Sequence, residues 1–161
     1  MVTAAGNVYV SGYTAGPLYG TPALGNRDYF LAKYDAAGNF LWGKHEGTSG
    51  HDQAWGAATD PAGNVYVAGE TGGSLNGNTY AGLLDVFLTK FSPTGTRLWT
   101  TQYGTAEDDL ARGIAVTTSG TVHLAGYTGA NLDGQVNPGP LEPVVTKFVP
   151  ATSVTPQPPV A

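Results

Sequence analysis

The 161-residue sequence predicts an all-β fold, and two observations support this prediction. First, a nine-residue segment recurs three times at an interval of 57 residues, beginning at Gly6, Gly63 and Gly120. Second, the sequence holds 24 glycines and 11 prolines but only 12% charged residues, which is typical of short strands joined by tight turns. Repeated units bury their apolar faces against neighbouring copies, so the repeat predicts a stack of similar β units.

Each 57-residue unit contains four short runs rich in Val, Tyr, Phe, Leu and Thr, and none with helical periodicity. In the unit that is present in full, the predicted strands are 54–59, 65–71, 86–91 and 97–103, which we label A to D in chain order. The preceding copy supplies strands B, C and D. The following copy supplies strands A, B and C.

Five tight turns are predicted by a shared pattern of three residues, then Gly, then Asn or Thr, and they join A to B and C to D. The glycine can adopt the positive φ that a short hairpin requires. Successive connections of an antiparallel sheet alternate between its two ends, so all five turns lie on one face, here called the tight-turn face. The 13-residue B-to-C loops (15–27, 72–84 and 129–141) and the D-to-A connections lie on the opposite, long-loop face.

Antiparallel four-stranded units that stack side by side are typical of the blades of a β-propeller. We therefore predict an open, partial β-propeller of about three blades over residues 1–149: a partial blade at 1–49, a full blade at 50–106 and a partial blade at 107–149. Residues 150–161 predict a Pro/Thr-rich linker. Met1 falls inside a predicted strand A, which is the pattern expected of a truncated repeat. Further blades of a parent protein, or a second copy, are expected at the exposed sheet edges.

Composition argues against several classes of function. A net charge of -5 with only seven Lys and Arg residues disfavours nucleic-acid binding. No apolar stretch approaches the roughly 18 residues that would span a bilayer, so membrane insertion is not expected. The absence of cysteine excludes disulfides and thiolate metal sites, and the first residues lack the pattern of a signal peptide.

The segment 60–71 (DPAGNVYVAGET), followed by 85–91 (DVFLTKF), 95–99 (GTRLW), Gly104 and Asp109, resembles the SBBP repeat. This bacterial repeat is named for a presumed seven-bladed β-propeller, and the resemblance covers about residues 1–149. It implies an extracellular or cell-surface bacterial protein in which Pro/Thr-rich linkers lead to other modules. It implies no catalytic residues.

Several residues recur at one position of every unit and predict structural roles. Lys33, Lys90 and Lys147 lie within otherwise apolar C strands, where a buried lysine needs a carboxylate partner. We expect the recurring Asp52 and Asp109 to supply that partner. The remaining recurring positions predict packing in the core or anchoring of the long loops: Trp42 and Trp99 on D strands, and Leu18, Leu75 and Leu132 on the loops.

Residues that do not recur are the candidates for ligand binding. Trp55 begins a strand A near the presumed central channel, beside His51, and the next unit has Arg112 in its place. Tyr80 lies on the long-loop face, where rigidly held loops commonly carry function. An aromatic ring near amides and carboxylates can bind a sugar. Ordinary surface variation is the alternative reading of these four residues.

We predict a non-enzymatic module that acts as a scaffold or binds a glycan or protein ligand. The alternative is a carbohydrate-active hydrolase or lyase, because five carboxylates crowd the D-to-A connections: Glu46, Asp52, Glu107, Asp108 and Asp109. Asp52 and Asp109 belong to the repeat pattern, however, which favours a structural role. Neither a metal site nor a cofactor is predicted. Calcium could bind acidic loops, although no calcium-binding motif is present.

Overall fold

The structure is a computed structural model, which describes residues 1–132, 134, 136, 137 and 139–149. Residues 150–161, the predicted linker, lie outside the described part. The all-β prediction is confirmed, because the sole helical segment in the described ranges is a single 3-10 turn, Leu75–Gly77. Ten strands are described: β1 Val8–Thr14, β2 Asp28–Tyr34, β3 Phe40–Glu46, β4 Asp52–Thr59, β5 Val65–Thr71, β6 Asp85–Phe91, β7 Arg97–Tyr103, β8 Asp109–Val116, β9 Val122–Thr128 and β10 Glu142–Phe148.

These strands form three antiparallel sheets that follow the repeat. The first sheet has the order β1-β2-β3, the second β4-β5-β6-β7, and the third β10-β9-β8. Equivalent residues pair in the same register: Tyr9 with Lys33 in the first sheet, and Tyr66 with Lys90 in the second. Residues before β1 pair with it as a strand A would, since the Met1 amine donates to Tyr9 O at 2.8 Å. The fold is therefore an open, partial propeller-like stack.

The five tight turns have the predicted geometry. Their glycines all lie at positive φ, from 78° at Gly6 to 85° at Gly38. In the turn that joins β4 to β5, Gly63 N donates to Asp60 O at 2.9 Å, and the Asp60 carboxylate accepts the amide of Asn64 at 2.9 Å. Positive φ favours glycine because a Cβ would clash with the neighbouring carbonyl.

The second sheet is covered on both faces, which explains why its strands are apolar at successive positions. Every residue of β5 is buried. Val65 and Val67 pack toward the first sheet, whereas Tyr66 and Ala68 pack toward the third, as the two-residue period of a strand requires. The recurring tryptophans pack edge-on against recurring tyrosines. Leu75 is fully buried in the core between the first and second sheets. The predicted packing roles are thus confirmed for these residues.

The predicted pairing of the recurring lysines with Asp52 and Asp109 is wrong. Lys90 Nζ lies 3.3 Å from a carboxylate oxygen of Asp60, in the tight turn before β5. Lys33 Nζ donates instead to Pro93 O at 3.0 Å. The strand register is the reason. Asp52 and Asp85 both pair with Thr71 of β5, so they stand at the same level of the sheet. Lys90 lies five residues further along β6 than Asp85, a distance of about 16 Å.

Asp52 and Asp109 instead hold the connections between sheets. Asp52 Oδ2 accepts the amide and the hydroxyl of Thr48 at 2.6 and 2.9 Å, and Asp109 accepts the hydroxyl of Thr105 at 2.8 Å. A second pair of carboxylates holds the B-to-C loops in the same way. Asp85 accepts the Ala81 amide at 2.8 Å, and Asp28 accepts the equivalent Leu24 amide at 2.7 Å. Buried carboxylates therefore hold the first two B-to-C loops and both D-to-A connections.

Candidate ligand-binding site

Two β-bulges project side chains from the long-loop end of the stack. The pairing of β4 with β5 shifts between Ala54 and Gly56 and leaves Trp55 unpaired. The pairing of β8 with β9 shifts at the equivalent place and leaves Arg112 unpaired. Bulges commonly redirect a side chain near a functional site.

Trp55 contacts one residue from each of the three sheets. Its ring centroid lies 6.4 Å from that of Tyr13 in β1, and its Nε1 donates to Glu70 of β5 at 2.8 Å. The guanidinium carbon of Arg112, in β8, lies 4.7 Å from the centroid of the indole. At the other end, the guanidinium carbon of Arg27 lies 5.0 Å from the Tyr13 centroid. We call these four residues, Arg27, Tyr13, Trp55 and Arg112, the aromatic–arginine row.

Glu70 fixes the orientation of one end of this row. Its side chain is only 5% exposed, and its Oε2 accepts hydrogen bonds from both Trp55 Nε1 and Arg112. A buried carboxylate is stable only when it is paired and hydrogen-bonded, and these two donors meet that requirement. The Arg112 charge is therefore committed to Glu70, and the indole is held in one position.

Arg27, at the opposite end, has no carboxylate partner within the described residues. The guanidinium is placed by its contact with Tyr13 and by the backbone, because Asp52 N donates to Arg27 O at 2.8 Å. This link also forms a parallel bridge between Arg27 and the exposed His51. The corresponding bridge in the next unit joins Leu84 to Asp108, so the first junction carries a guanidinium and the second a carboxylate.

The row is open to solvent, since Trp55 is 46% exposed and Tyr13 is 44% exposed. An aromatic face can pack against a flat apolar surface, and a planar guanidinium can hold a carboxylate or phosphate with two hydrogen bonds. The arrangement can thus bind a ligand that is flat, partly apolar and negatively charged.

The structure brings two of the four predicted site residues into contact, since Arg112 stacks on Trp55. His51 is placed beside Arg27 by a backbone bridge. Tyr80 lies in the loop between β5 and β6, where its hydroxyl donates to Leu83 O at 2.8 Å. Partial burial, followed by the negative charges of Asp85 and Asp108, raises the pKa of its hydroxyl.

Tyr13 was not singled out by sequence reasoning, although a signal for it exists. Its equivalents in the next two units are Glu70 and Tyr127, so this position varies while its neighbours recur. A search for variation within the repeat would have found Tyr13 together with Trp55. Its contact with Trp55 depends on the packing of two sheets, which periodicity does not reveal.

Two acidic residues of the D-to-A connections, Asp52 and Asp109, serve the scaffold. Asp52 is fully buried, and its pKa is raised chiefly by burial and further by the charge of Asp28, against hydrogen bonds from Thr71 and Thr48. Three buried carboxylate oxygens of the described residues lack a hydrogen-bond partner, one each on Asp28, Asp85 and Asp109. No group of three metal-ligating side chains occurs in the described ranges.

A cleft of about 480 Å³ opens on the tight-turn face, between the A-to-B turns of all three units. Its charged lining residues, Lys33 and Asp60, already have partners in Pro93 O and Lys90. The aromatic–arginine row is the better candidate site, because it presents an uncommitted guanidinium.

Within the described residues, no helix has the length and apolar character needed to cross a bilayer.

Comparison with known proteins gives two distant similarities, and no family model matches the chain. Regulatory protein FlaEY of Caulobacter vibrioides is 29% identical over 129 residues, which cover 75% of this chain and 14% of that protein. An uncharacterized WD repeat-containing protein of Acanthamoeba polyphaga mimivirus is 26% identical over 124 residues, which cover 66% of this chain and 9% of that protein. The chain thus spans only a small part of either relative. The similarities and the three sheets together indicate a repeat module with a propeller-like fold.

Proposed function

We propose that this chain is a non-enzymatic repeat module of an extracellular bacterial protein, where it acts as a scaffold and binds a glycan or protein ligand through the long-loop face. One observation carries the proposal: the aromatic–arginine row joins all three sheets and is exposed. Its members stand at repeat positions where the units differ, whereas the scaffold positions recur. A surface that varies on a repeated frame is typical of a binding site.

The environment of the carboxylates supports a non-enzymatic role. Glycoside hydrolysis needs two carboxylates that flank the scissile bond and face the substrate. Asp52 and Asp109 are both buried, at 0% and 1% exposure, and both are hydrogen-bonded to threonines within the connections that they hold. The two relatives are named as a regulatory protein and a WD repeat-containing protein, and neither name refers to an enzymatic activity.

The extracellular location in this proposal rests on the resemblance to the SBBP repeat. Labelling of intact source cells with an antibody against the chain tests it. Labelling of intact cells supports an extracellular location, and signal that appears only after lysis contradicts it.

A panel of immobilised neutral and acidic glycans and of cell-surface proteins tests binding through the row. We expect wild-type protein to bind at least one class without releasing reducing ends. Trp55→Ala should abolish this binding, because it removes the central platform, and Tyr80→Phe should leave it unchanged. Release of reducing ends that Asp108→Asn abolishes would establish the enzymatic alternative. Full binding by Trp55→Ala would show that the row is not the site.

A further inference from the structure

We infer that the ligand of the aromatic–arginine row is an acidic polysaccharide, bound through its uronate residues. This inference rests on the proposed function and adds the chemical class of the ligand. It is drawn from three properties of the row: an uncommitted positive charge, two adjacent exposed rings, and their fixed orientation.

The distribution of charge indicates an anionic ligand. The sequence has three arginines in a chain of net charge -5, and two of them stand in this row. Arg112 is neutralised by Glu70, but the described residues offer Arg27 no carboxylate. Arg27 is therefore the group that is available to hold a carboxylate with two hydrogen bonds.

The two rings favour a sugar over an extended acidic peptide. Tyr13 and Trp55 are neighbours whose planes meet at 59°, and both remain nearly half exposed. The hydrogen bond from Trp55 to Glu70 holds the indole in place without a ligand, so little ordering is needed on binding. A pyranose ring can pack its apolar face on such a platform. A peptide bound by charge alone would instead need a cluster of cations, whereas Arg27 is the one arginine of the row without a carboxylate partner in the described residues.

Isothermal titration calorimetry with defined hexasaccharides tests the inference. The probes are a galacturonate hexamer, a mannuronate hexamer, the methyl ester of each, and a glutamate hexapeptide. We expect at least one uronate hexamer to bind, and its ester to bind about tenfold more weakly, because esterification removes the charge but keeps the ring. The affinity should fall as salt rises from about 0.01 M to 0.15 M.

Two variants that each replace one arginine by methionine provide a matched comparison. Arg27→Met should weaken uronate binding about tenfold, since it removes the uncommitted guanidinium. Arg97→Met removes a charge on β7, where Arg97 lies 3.5 Å from Glu46, and should leave the affinity unchanged within about twofold. Thermal melting establishes that both variants are folded.

Each other outcome overturns the inference in a distinguishable way. Equal affinity for a uronate hexamer and its ester would show that charge is not recognised, while binding through the row would stand. Equal or tighter binding of the glutamate hexapeptide would assign the site to acidic peptides. No binding of either uronate hexamer would overturn this inference, whereas binding through the row in general would be overturned by a Trp55→Ala variant that keeps all binding across the wider panel.

Discussion

The three recurring lysines show how one residue position acquires different partners. Lys90 pairs with Asp60 in the tight turn before β5. Thr3 occupies the position of Asp60 in the first unit, so Lys33 donates to Pro93 O in the second sheet instead. Each of these two lysines lies over the ring of the tyrosine opposite it, Tyr66 or Tyr9. The stacking on tyrosine is shared by the first two units, and the ion pair belongs to the second.

Lys90→Met should lower the free energy of unfolding by about 1 kcal/mol, because it removes a partly buried ion pair and a cation–π contact. Urea denaturation of Lys90→Met, Asp60→Asn and the double variant measures the coupling between the two residues.

The pKa of Asp60 is lowered, since hydrogen bonds from Asn64 and the charge of Lys90 outweigh its burial. The coupling should therefore persist at neutral pH and vanish as the pH falls through this lowered pKa, below the usual 3.8. Lys33→Met should show no coupling to Asp60→Asn, and additivity for Lys90 would contradict the pairing.

Asp28→Asn should lower the pKa of Asp52. Burial raises the pKa of Asp52 most, and the negative charge of Asp28 raises it further, so removal of that charge should lower it. Because the folded state holds this proton more tightly than the unfolded state, Asp52 should stabilise the fold increasingly as the pH falls from its raised pKa toward 3.8. Carboxyl-carbon NMR titration measures the pKa directly. Asp85→Asn, at the equivalent position of the next unit, serves as the control, and an unchanged Asp52 pKa in Asp28→Asn would refute the coupling.

At the scale of the strand, the bulges explain why one repeat position is glycine in the second and third units. A Cβ on Gly69 would lie 1.8 Å from Gln53 O, and a Cβ on Gly126 would lie 1.8 Å from Leu110 O. Both carbonyls belong to the bulged strands that project Trp55 and Arg112. In the first unit the position equivalent to this bulge precedes Met1, and a Cβ on Gly12 would meet the Phe30 ring at 3.1 Å. The glycines thus permit the bulges on which the candidate site depends.

Gly69→Ala and Gly126→Ala should each destabilise the protein by about 3 kcal/mol or more, since a backbone carbonyl cannot move away as a side chain can. Gly12→Ala should cost less, about 1 kcal/mol, because the Phe30 ring can shift. Gly113→Ala is the control, as a Cβ there meets no atom within 4 Å. Denaturation midpoints give the order of stability. Equal losses at Gly12 and Gly69 would contradict the role assigned to the bulge.

At the scale of the whole molecule, the first and third sheets each leave one face uncovered, whereas the second sheet is covered twice. Val10 and Phe40 of the first sheet are 42% and 51% exposed, and Tyr19 stacks on Phe40 at 5.4 Å. On the third sheet, Tyr127 and Val145 are 41% and 69% exposed. Apolar strands left open in this way are prone to association.

We therefore expect the isolated chain to self-associate, with the third sheet of one copy packed on the first sheet of another. Light scattering should give a mass above the 16.5 kDa of one chain that rises with concentration. Val145→Asp should reduce the association, because it places a charge in the interface. Leu98→Asp is the matched control, since Leu98 is 50% exposed on β7 of the covered second sheet. A mass of one chain at every concentration, or equal effects of the two variants, would contradict this arrangement.

The strands and turns could be predicted because they depend on nearby residues. Gly63 and Asp60 close a hairpin through contacts within five residues, and adjacent apolar residues such as Phe87 and Leu88 of β6 already indicate a sheet buried on both faces. The long-loop face could be deduced from the alternation of connections. The partner of Lys90 could not be predicted in this way. The carboxylate that it contacts depends on the register of several neighbouring strands.

The sequence by itself determined the repeated unit, its hairpins and the residues at which the units differ, since these follow from local backbone preferences and from periodicity. Only the tertiary structure decided that Tyr13, Trp55 and Arg112, each from a different unit, stand in contact with Arg27 at the end of the row. The physical reason is that this contact requires a bulge in β4, which shifts the register of one strand against another, together with the packing of three sheets. Neither property is contained in the pattern of a single strand.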